Sequence, residues 1–242
     1  MPSNIGTPLD KFQLVDFSED YRARALFSMV PENNTGRLLD VGSGNGIAGH
    51  LLRGKYAEIV LSDYSDTLVV ALLRKFKKTP SVSVVQVDAK RLPYTDYFDT
   101  IIAADIIEHI DDDMVCLKGF FRALRPGGLL FLSVPAIPTL YGRRDAKYGH
   151  YRRYTKRGLK RQVGEVGFTV KKVFYWNFIG VAPYWVSEKI FRRELVGPVR
   201  TGSVKWASRV LNVFLFWLLR LESRISWLPL GLSLVVIAQK QP

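Results

Sequence analysis

The chain has 242 residues, 48% hydrophobic and 12% aromatic, which is enough apolar material for one large folded domain and too much for a disordered segment. Its single cysteine, Cys116, excludes an internal disulfide and a cysteine-built zinc site and suits a reducing compartment. The net charge of +13 is unevenly placed: residues 1–142 carry 15 basic and 17 acidic groups, residues 143–205 carry 16 and 4, and residues 206–242 carry 4 and 1. An ordinary first part is thus followed by a strongly basic one, which points to a phosphate-bearing partner, an anionic substrate or a membrane surface.

The first residues, MPSNIGTPLDKFQL, show no basic start followed by an apolar run, so no secretory signal is expected and the chain is placed in the cytoplasm. EDYRARALFSMV (19–30) reads as a helix ended near Pro31, within a lead-in spanning 1–35. RLLDV (37–41) is a short apolar strand entering a glycine-rich turn, and IAGHLLRG (47–54) a helix closed by Gly54. AEIVLSD (57–63) is a second strand. The helix from about Ser65 has Asp66 in its first turn and Arg74, Lys75, Lys77 and Lys78 at its end, a polarity that suits the helix dipole. SVSVVQVD (81–88) and FDTIIAAD (98–105) are the third and fourth strands, and a helix over 111–125 stops at Pro126–Gly127–Gly128. LLFLSVP (129–135) is a fifth strand, 155–165 a helix, FTVKKVF (168–174) a sixth strand and SLVVIAQK (233–240) a seventh.

Alternation of strand and helix calls for an α/β fold with a mostly parallel sheet and helices on both faces. The core spans 36–174 and is completed by the closing strand at 231–242. Between them, residues 175–230 form a tryptophan-rich helical insertion containing VLNVFLFWLL (210–219), too short to cross a bilayer, which needs about 20 residues. This segment reads as an amphipathic lid over an apolar pocket, a membrane-interface element or a dimer surface.

LLDVGSGNGIAG (38–49) is a strand, a tight turn and a helix start. Gly42, Gly44 and Gly46 permit close backbone approach to a ligand. Asp40, Asp63 and Asp88 end the first three strands, at the sheet edge where open α/β folds bind ligands, and Asp63 is placed to take both hydroxyls of a ribose. Taken in order, LLDVGSGNGIAG, LSDYS, VQVDAKRLPY, FDTIIAADIIEHI and ALRPGGLLFLSVP resemble the sequential motifs of class I S-adenosylmethionine-dependent methyltransferases, with a likeness to the ubiquinone-biosynthesis O-methyltransferase branch. The resemblance covers about residues 36–136 plus the closing strand. It implies a Rossmann-like seven-stranded sheet whose last strand is antiparallel. It implies that Asp40 and the turn Gly42, Ser43, Gly44, Gly46 receive the methionine part, that Asp63 and Tyr64 meet the ribose and Asp88 and Ala89 the adenine, and that Asp105 borders the same site. A dinucleotide loop would read G-x-G-x-x-G, whereas Ile47 stands where its third glycine belongs.

Methyl transfer to a hydroxyl or carboxylate needs alignment, exclusion of water and a place for a proton; no metal is required for it. His109 follows the fourth strand and is the first choice of general base, with His150 as a second catalytic candidate. Glu108 and His50 read as structural, and Asp111–Asp113 as a helix start. Cys116 lies at an apolar helix position and reads as packed rather than attacking. The stretch KYGHYRRYTKRGLKR (147–161) divides in two. Its second half is a helix with a solvated basic face. Its first half belongs to the basic loop 141–154, similar in GHYRRYT to a signature of bacterial methyltransferases. There Tyr141, His150, Arg152, Arg153 and Tyr154 are expected to bind an acidic, amphiphilic small molecule. An RNA acceptor, or cofactor binding without catalysis, is the alternative. Peripheral contact with the inner face of the membrane is a further expectation.

Overall fold

The computed structural model describes residues 20–191, 206–225 and 227–242; the expected lead-in before Asp20 lies outside them. Asp20 accepts hydrogen bonds from the backbone N–H groups of Arg22 and Ala23 and so starts helix α1 (Tyr21–Phe27), because a cap carboxylate satisfies amides that have no partner within the helix.

Strands β1 (Asn33–Val41), β2 (Tyr56–Asp63), β3 (Val82–Gln86), β4 (Phe98–Ala104), β5 (Leu124–Pro135), β6 (Phe168–Trp176) and β7 (Ser233–Lys240) form one sheet in the order β3-β2-β1-β4-β5-β7-β6. β7 is antiparallel to both its neighbours, and the other pairs are parallel. Helices α2 (Ile47–Leu52), α3 (Asp66–Phe76), α4 (Asp113–Ala123) and α6 (Lys156–Glu165) connect them. The expected architecture, with its antiparallel last strand, is the one observed. β5 starts earlier than expected, at Leu124, because the chain leaves α4 directly into an extended conformation.

The central strands read as apolar runs because both faces of a covered parallel sheet are dry. Leu39, Ile101, Leu130 and Leu132 bury into one layer, and Leu38, Ile59, Leu61, Ile102 and Phe131 into the other. Cys116 belongs to the first layer, and burial pushes its thiol up to about 12, so it packs and does not attack.

The basic loop is not wholly irregular: Arg143–Lys147 form a short helix, α5. The insertion supplies α7 (Val181–Trp185), continued by a π-helical turn over Val186–Phe191, and α8 (Trp206–Glu222). One face of α8 packs on α1 and on Trp176, whose indole N–H donates to the Leu219 carbonyl at 3.0 Å. No helix among the described residues is long and apolar enough to cross a membrane.

Candidate functional site

After β1, β2 and β3 the chain crosses to the other side of β1 to lay down β4. The sheet therefore has its topological switch point between β1 and β4, where the loops beyond the strand ends part and leave a crevice. Two groups of residues meet this edge.

The first is the glycine turn after β1. Gly42 has φ of 69° and Gly46 of 75°; a Cβ at Gly42 would lie 1.9 Å from Ile106 Cδ1, and one at Gly46 would lie 2.6 Å from Leu72 and Phe76. Both positions need glycine for backbone and for space. Ser43 Oγ donates to the Asp40 carbonyl at 2.9 Å and accepts from the Ser62 amide at 3.0 Å. Asp63 accepts from the amides of Gly44 and Ser65, each at 3.0 Å. Asp40, Ser43, Gly44 and Asp63 thus form one connected unit. Asp88 caps the short turn Ala89–Arg91 at the end of β3, and Tyr64 is largely exposed. Asp40 is buried; loss of water raises its carboxyl to about 7, with Ser43 opposing the rise and the Asp63 charge adding to it. A cation beside such a carboxyl would favour its ionised form.

The second group surrounds a cavity of about 280 Å³ lined by the turn after β4, the basic loop, α1 and the insertion. Asp105 takes a left-handed conformation, φ 54°. Its carboxylate accepts from Arg22 and from Ser133 Oγ, both at 3.0 Å. Burial works against its charge, but Arg22 more than offsets this and holds the carboxyl below the usual range. This places Asp105 in the wall of the cavity. His109 and His150 meet edge to face at 4.6 Å. Burial first, and then His150, lower His109 to about 4, so it stays neutral and is a weaker base than an ordinary imidazole. His150 Nδ1 lies 2.9 Å from Asp145 Oδ1. Although burial opposes ionisation of Asp145, hydrogen bonds from His150 and Arg153 bring it down to about 2.

Of the expected acceptor-binding residues, His150 and Arg153 line the cavity, whereas Tyr141, Arg152 and Tyr154 do not. Arg152 donates to the Asp111 carbonyl and pairs with Asp113 at 3.4 Å. Tyr154 is buried and donates to Asp113 at 2.8 Å, while Tyr141 donates to the His150 carbonyl at 2.7 Å. These three hold the loop. Aromatic surface in the cavity comes from Tyr148 and from Tyr184 of α7. Arg22, Arg144 and Tyr184 were missed. Arg22 and Tyr184 lie far along the chain from the loop, and Arg144 was one cation among many. The cluster Asp111–Asp113 does not assemble as a site: Asp113 is buried and engaged, and the other two are exposed.

The insertion shapes this cavity through α7. The Glu188 carboxylate accepts from the Arg143 and Arg144 amides at 2.5 and 3.4 Å, tying the π-helical turn to the start of α5. No residue of α8 lines the cavity.

A methyltransferase-domain family model matches residues 16–173, well over half of the chain. Curated relatives include the ubiquinone/menaquinone biosynthesis C-methyltransferase UbiE of Proteus mirabilis, 32% identical over 43% of this chain and 44% of that protein. The ubiquinone biosynthesis O-methyltransferase of Pseudomonas fluorescens is 30% identical over 40% and 43%, and the demethylmenaquinone methyltransferase of Staphylococcus carnosus 31% identical over 56% and 60%. The chain thus spans roughly half the length of these relatives. Among solved structures, an S-adenosylmethionine-dependent methyltransferase from Mesorhizobium loti superposes with a TM-score of 0.63 at 16% identity, covering 93% of this chain and 100% of that one. The phosphoethanolamine N-methyltransferase 2 of Haemonchus contortus, in complex with S-adenosylmethionine, gives 0.61 at 17% identity, covering 90% and 51%. The chain belongs to the methyltransferase-domain family, on the Rossmann-like fold of S-adenosylmethionine-dependent methyltransferases.

Proposed function

We propose that the chain transfers the methyl group of S-adenosylmethionine to an oxygen of an acidic, amphiphilic small molecule held in the cavity beside the glycine turn. The observation that carries this reading is the cavity wall itself, which combines Arg144 with Arg22 and Arg153, ion-paired to Asp105 and Asp145 respectively, and with Tyr148, Tyr184 and the His109–His150 pair. Cations and phenols suit a carboxylate or phosphate on a flat or apolar body. A neighbouring pair of imidazoles suits an acceptor that must lose a proton.

On the cofactor side, Asp40 takes the α-ammonium of the methionine part, the Gly42–Gly46 turn lies against its backbone atoms, Asp63 receives the ribose hydroxyls, and Asp88 and Ala89 border the adenine. Asp105, engaged by Arg22 and Ser133, belongs to the acceptor wall. In the reaction, the acceptor oxygen attacks the sulfonium methyl in line, the S–CH₃ bond breaks, and S-adenosylhomocysteine leaves. The acceptor proton departs at the histidine pair. His150, oriented by Asp145, suits this role better than His109, the first choice from sequence, which burial has weakened as a base.

An amphiphilic acceptor also fits α8. Val210, Val213, Phe214, Trp217 and Leu221 lie along one stripe of the helix and are each more than half exposed. The sequence from Lys189 to Arg224 carries eight basic residues against two acids, Glu194 and Glu222. An apolar stripe among cations suits the interface of an anionic bilayer.

The test is incubation of the protein with methyl-labelled S-adenosylmethionine and an extract of its source cells, followed by separation of products. Label in solvent-extractable or small-molecule fractions is expected. Label in nuclease-sensitive RNA would move the acceptor to nucleic acid, and binding without transfer to any fraction would reduce the chain to a cofactor-binding protein.

A further inference from the structure

We infer that Glu108, His109 and His150 form a binding site for a transition-metal dication in the wall of the acceptor cavity. Each offers one ligand atom, and the three atoms lie within 4.8 Å of one another, a separation that one ion can bridge with small side-chain adjustments.

Glu108 supplies the second observation. It is completely buried, and neither carboxylate oxygen has a hydrogen-bond partner among the described residues. Buried polar groups are almost always bonded, so an orphaned carboxyl lining a cavity calls for a missing partner. The histidines are already arranged as ligands. The His150 Nδ1 edge is held by Asp145, itself fixed by Arg153 and by the Gly142 amide, which leaves Nε2 for an ion. His109 bonds the Tyr148 carbonyl through its ring, which leaves its other nitrogen. Imidazoles steered in this way from behind are the usual outer shell of a metal site. The backbone joins the two segments as well, since the Tyr151 amide donates to the Glu108 carbonyl at 2.7 Å.

Charge does not forbid the ion. Asp105 offsets Arg22 and Asp145 offsets Arg153, so an incoming dication meets two arginines already balanced, and Glu108, whose carboxyl burial pushes well up, would release its proton on binding. Two imidazoles and one carboxylate favour zinc, iron(II), manganese or cobalt over magnesium or calcium, which prefer all-oxygen sites. Three protein ligands leave coordination positions open. There an acceptor hydroxyl would be bound and made acidic; with the ion in place His109 and His150 serve as ligands, and the acceptor proton would pass to solvent instead of to the histidine pair. This last step rests on the acceptor-cavity reading; the ion site itself does not.

The test uses the full chain stripped with a chelator and titrated with Co²⁺, read by its d–d absorption and by calorimetry. One Co²⁺ per chain is expected. Glu108→Gln and His109→Ala, checked for folding by circular dichroism, should each weaken binding by about a hundredfold or more, beyond the loss typical of an outer-shell change. Absence of the absorption band, or unchanged affinity in folded Glu108→Gln, would overturn the site. Transfer of labelled methyl by stripped protein at the full rate, with no Co²⁺ bound, would sink the cation and leave the methyl-transfer reading standing. Co²⁺ bound with no label transferred to any fraction would uphold the site and remove the methyl-transfer reading.

Discussion

Asp40 gives the sharpest test of the cofactor side. Burial holds its carboxyl near pH 7, against an ordinary value of 3.8, yet pairing with the methionine α-ammonium requires the ionised form. With a value of about 7, only about one molecule in a hundred is ionised at pH 5 and about half at pH 7, so cofactor affinity should tighten by about fiftyfold across that range. The ligand ammonium remains protonated below about pH 7.7 and adds no slope there. A carboxyl at the ordinary value would already be more than about nine-tenths ionised at pH 5 and would give a flat curve. The assay is calorimetric titration with S-adenosylhomocysteine, which cannot turn over, at pH 5, 6 and 7. Asp40→Asn should bind weakly and without this slope. A wild-type Kd that changes less than about threefold over the range, or a slope that persists in folded Asp40→Asn, would refute the pairing.

Linkage at the same residue predicts a cost to the ligand-free protein. Folded Asp40 keeps its proton up to about pH 7 while the unfolded chain releases it near 3.8. The folded state therefore holds more protons between these values, and stability falls as pH rises from about 4 to about 7, by at most about 4 kcal/mol; Asp40→Asn should accordingly raise Tm at pH 8, and a lowered Tm would contradict the burial argument. Arg144→Ala should raise the acceptor KM by about tenfold to a hundredfold, the worth of a charged hydrogen bond, with cofactor affinity unchanged. Arg152→Ala should leave both untouched and lower stability by about 0.5–1 kcal/mol, because its ion pair is part-exposed; the reverse pattern in kinetics and thermal melts would exchange their roles. Replacing Phe214 and Trp217 together by Glu should abolish cosedimentation with vesicles containing phosphatidylglycerol, and undiminished sedimentation would show that the α8 stripe is not the contact.

The fold was legible because its central strands are apolar on both faces and their ends carry glycine, proline or aspartate. The glycine turn was legible for a similar local reason: at Gly42 and Gly46 backbone angle and space both demand glycine. Helix α5 was not, since RRDAK has no apolar period. It is held by Asp145, which accepts from its cap amide at Gly142, and from outside by Glu188 reaching over from the insertion. Propensity cannot report a helix whose support lies more than forty residues away.

Arg152 and Arg153 show why the cavity was harder to read than the glycine turn. They are neighbours with the same chemistry, and the sequence gives no reason to separate them. In an extended segment, however, consecutive side chains point to opposite sides. Arg152 reaches the start of α4, whereas Arg153 enters the cavity and meets Asp145 and Tyr184. Glu108 and His109 make the same point. Side by side in sequence, they take their character from a loop about forty residues downstream, which brings His150 against His109 and an amide onto the Glu108 carbonyl. Their chemistry therefore belongs to the closed loop rather than to the strand end that carries them. Loosening that loop, by removing the Asp145 carboxylate that fixes both His150 and Arg153, should disturb the acceptor site while leaving the Asp40–Asp63 unit intact.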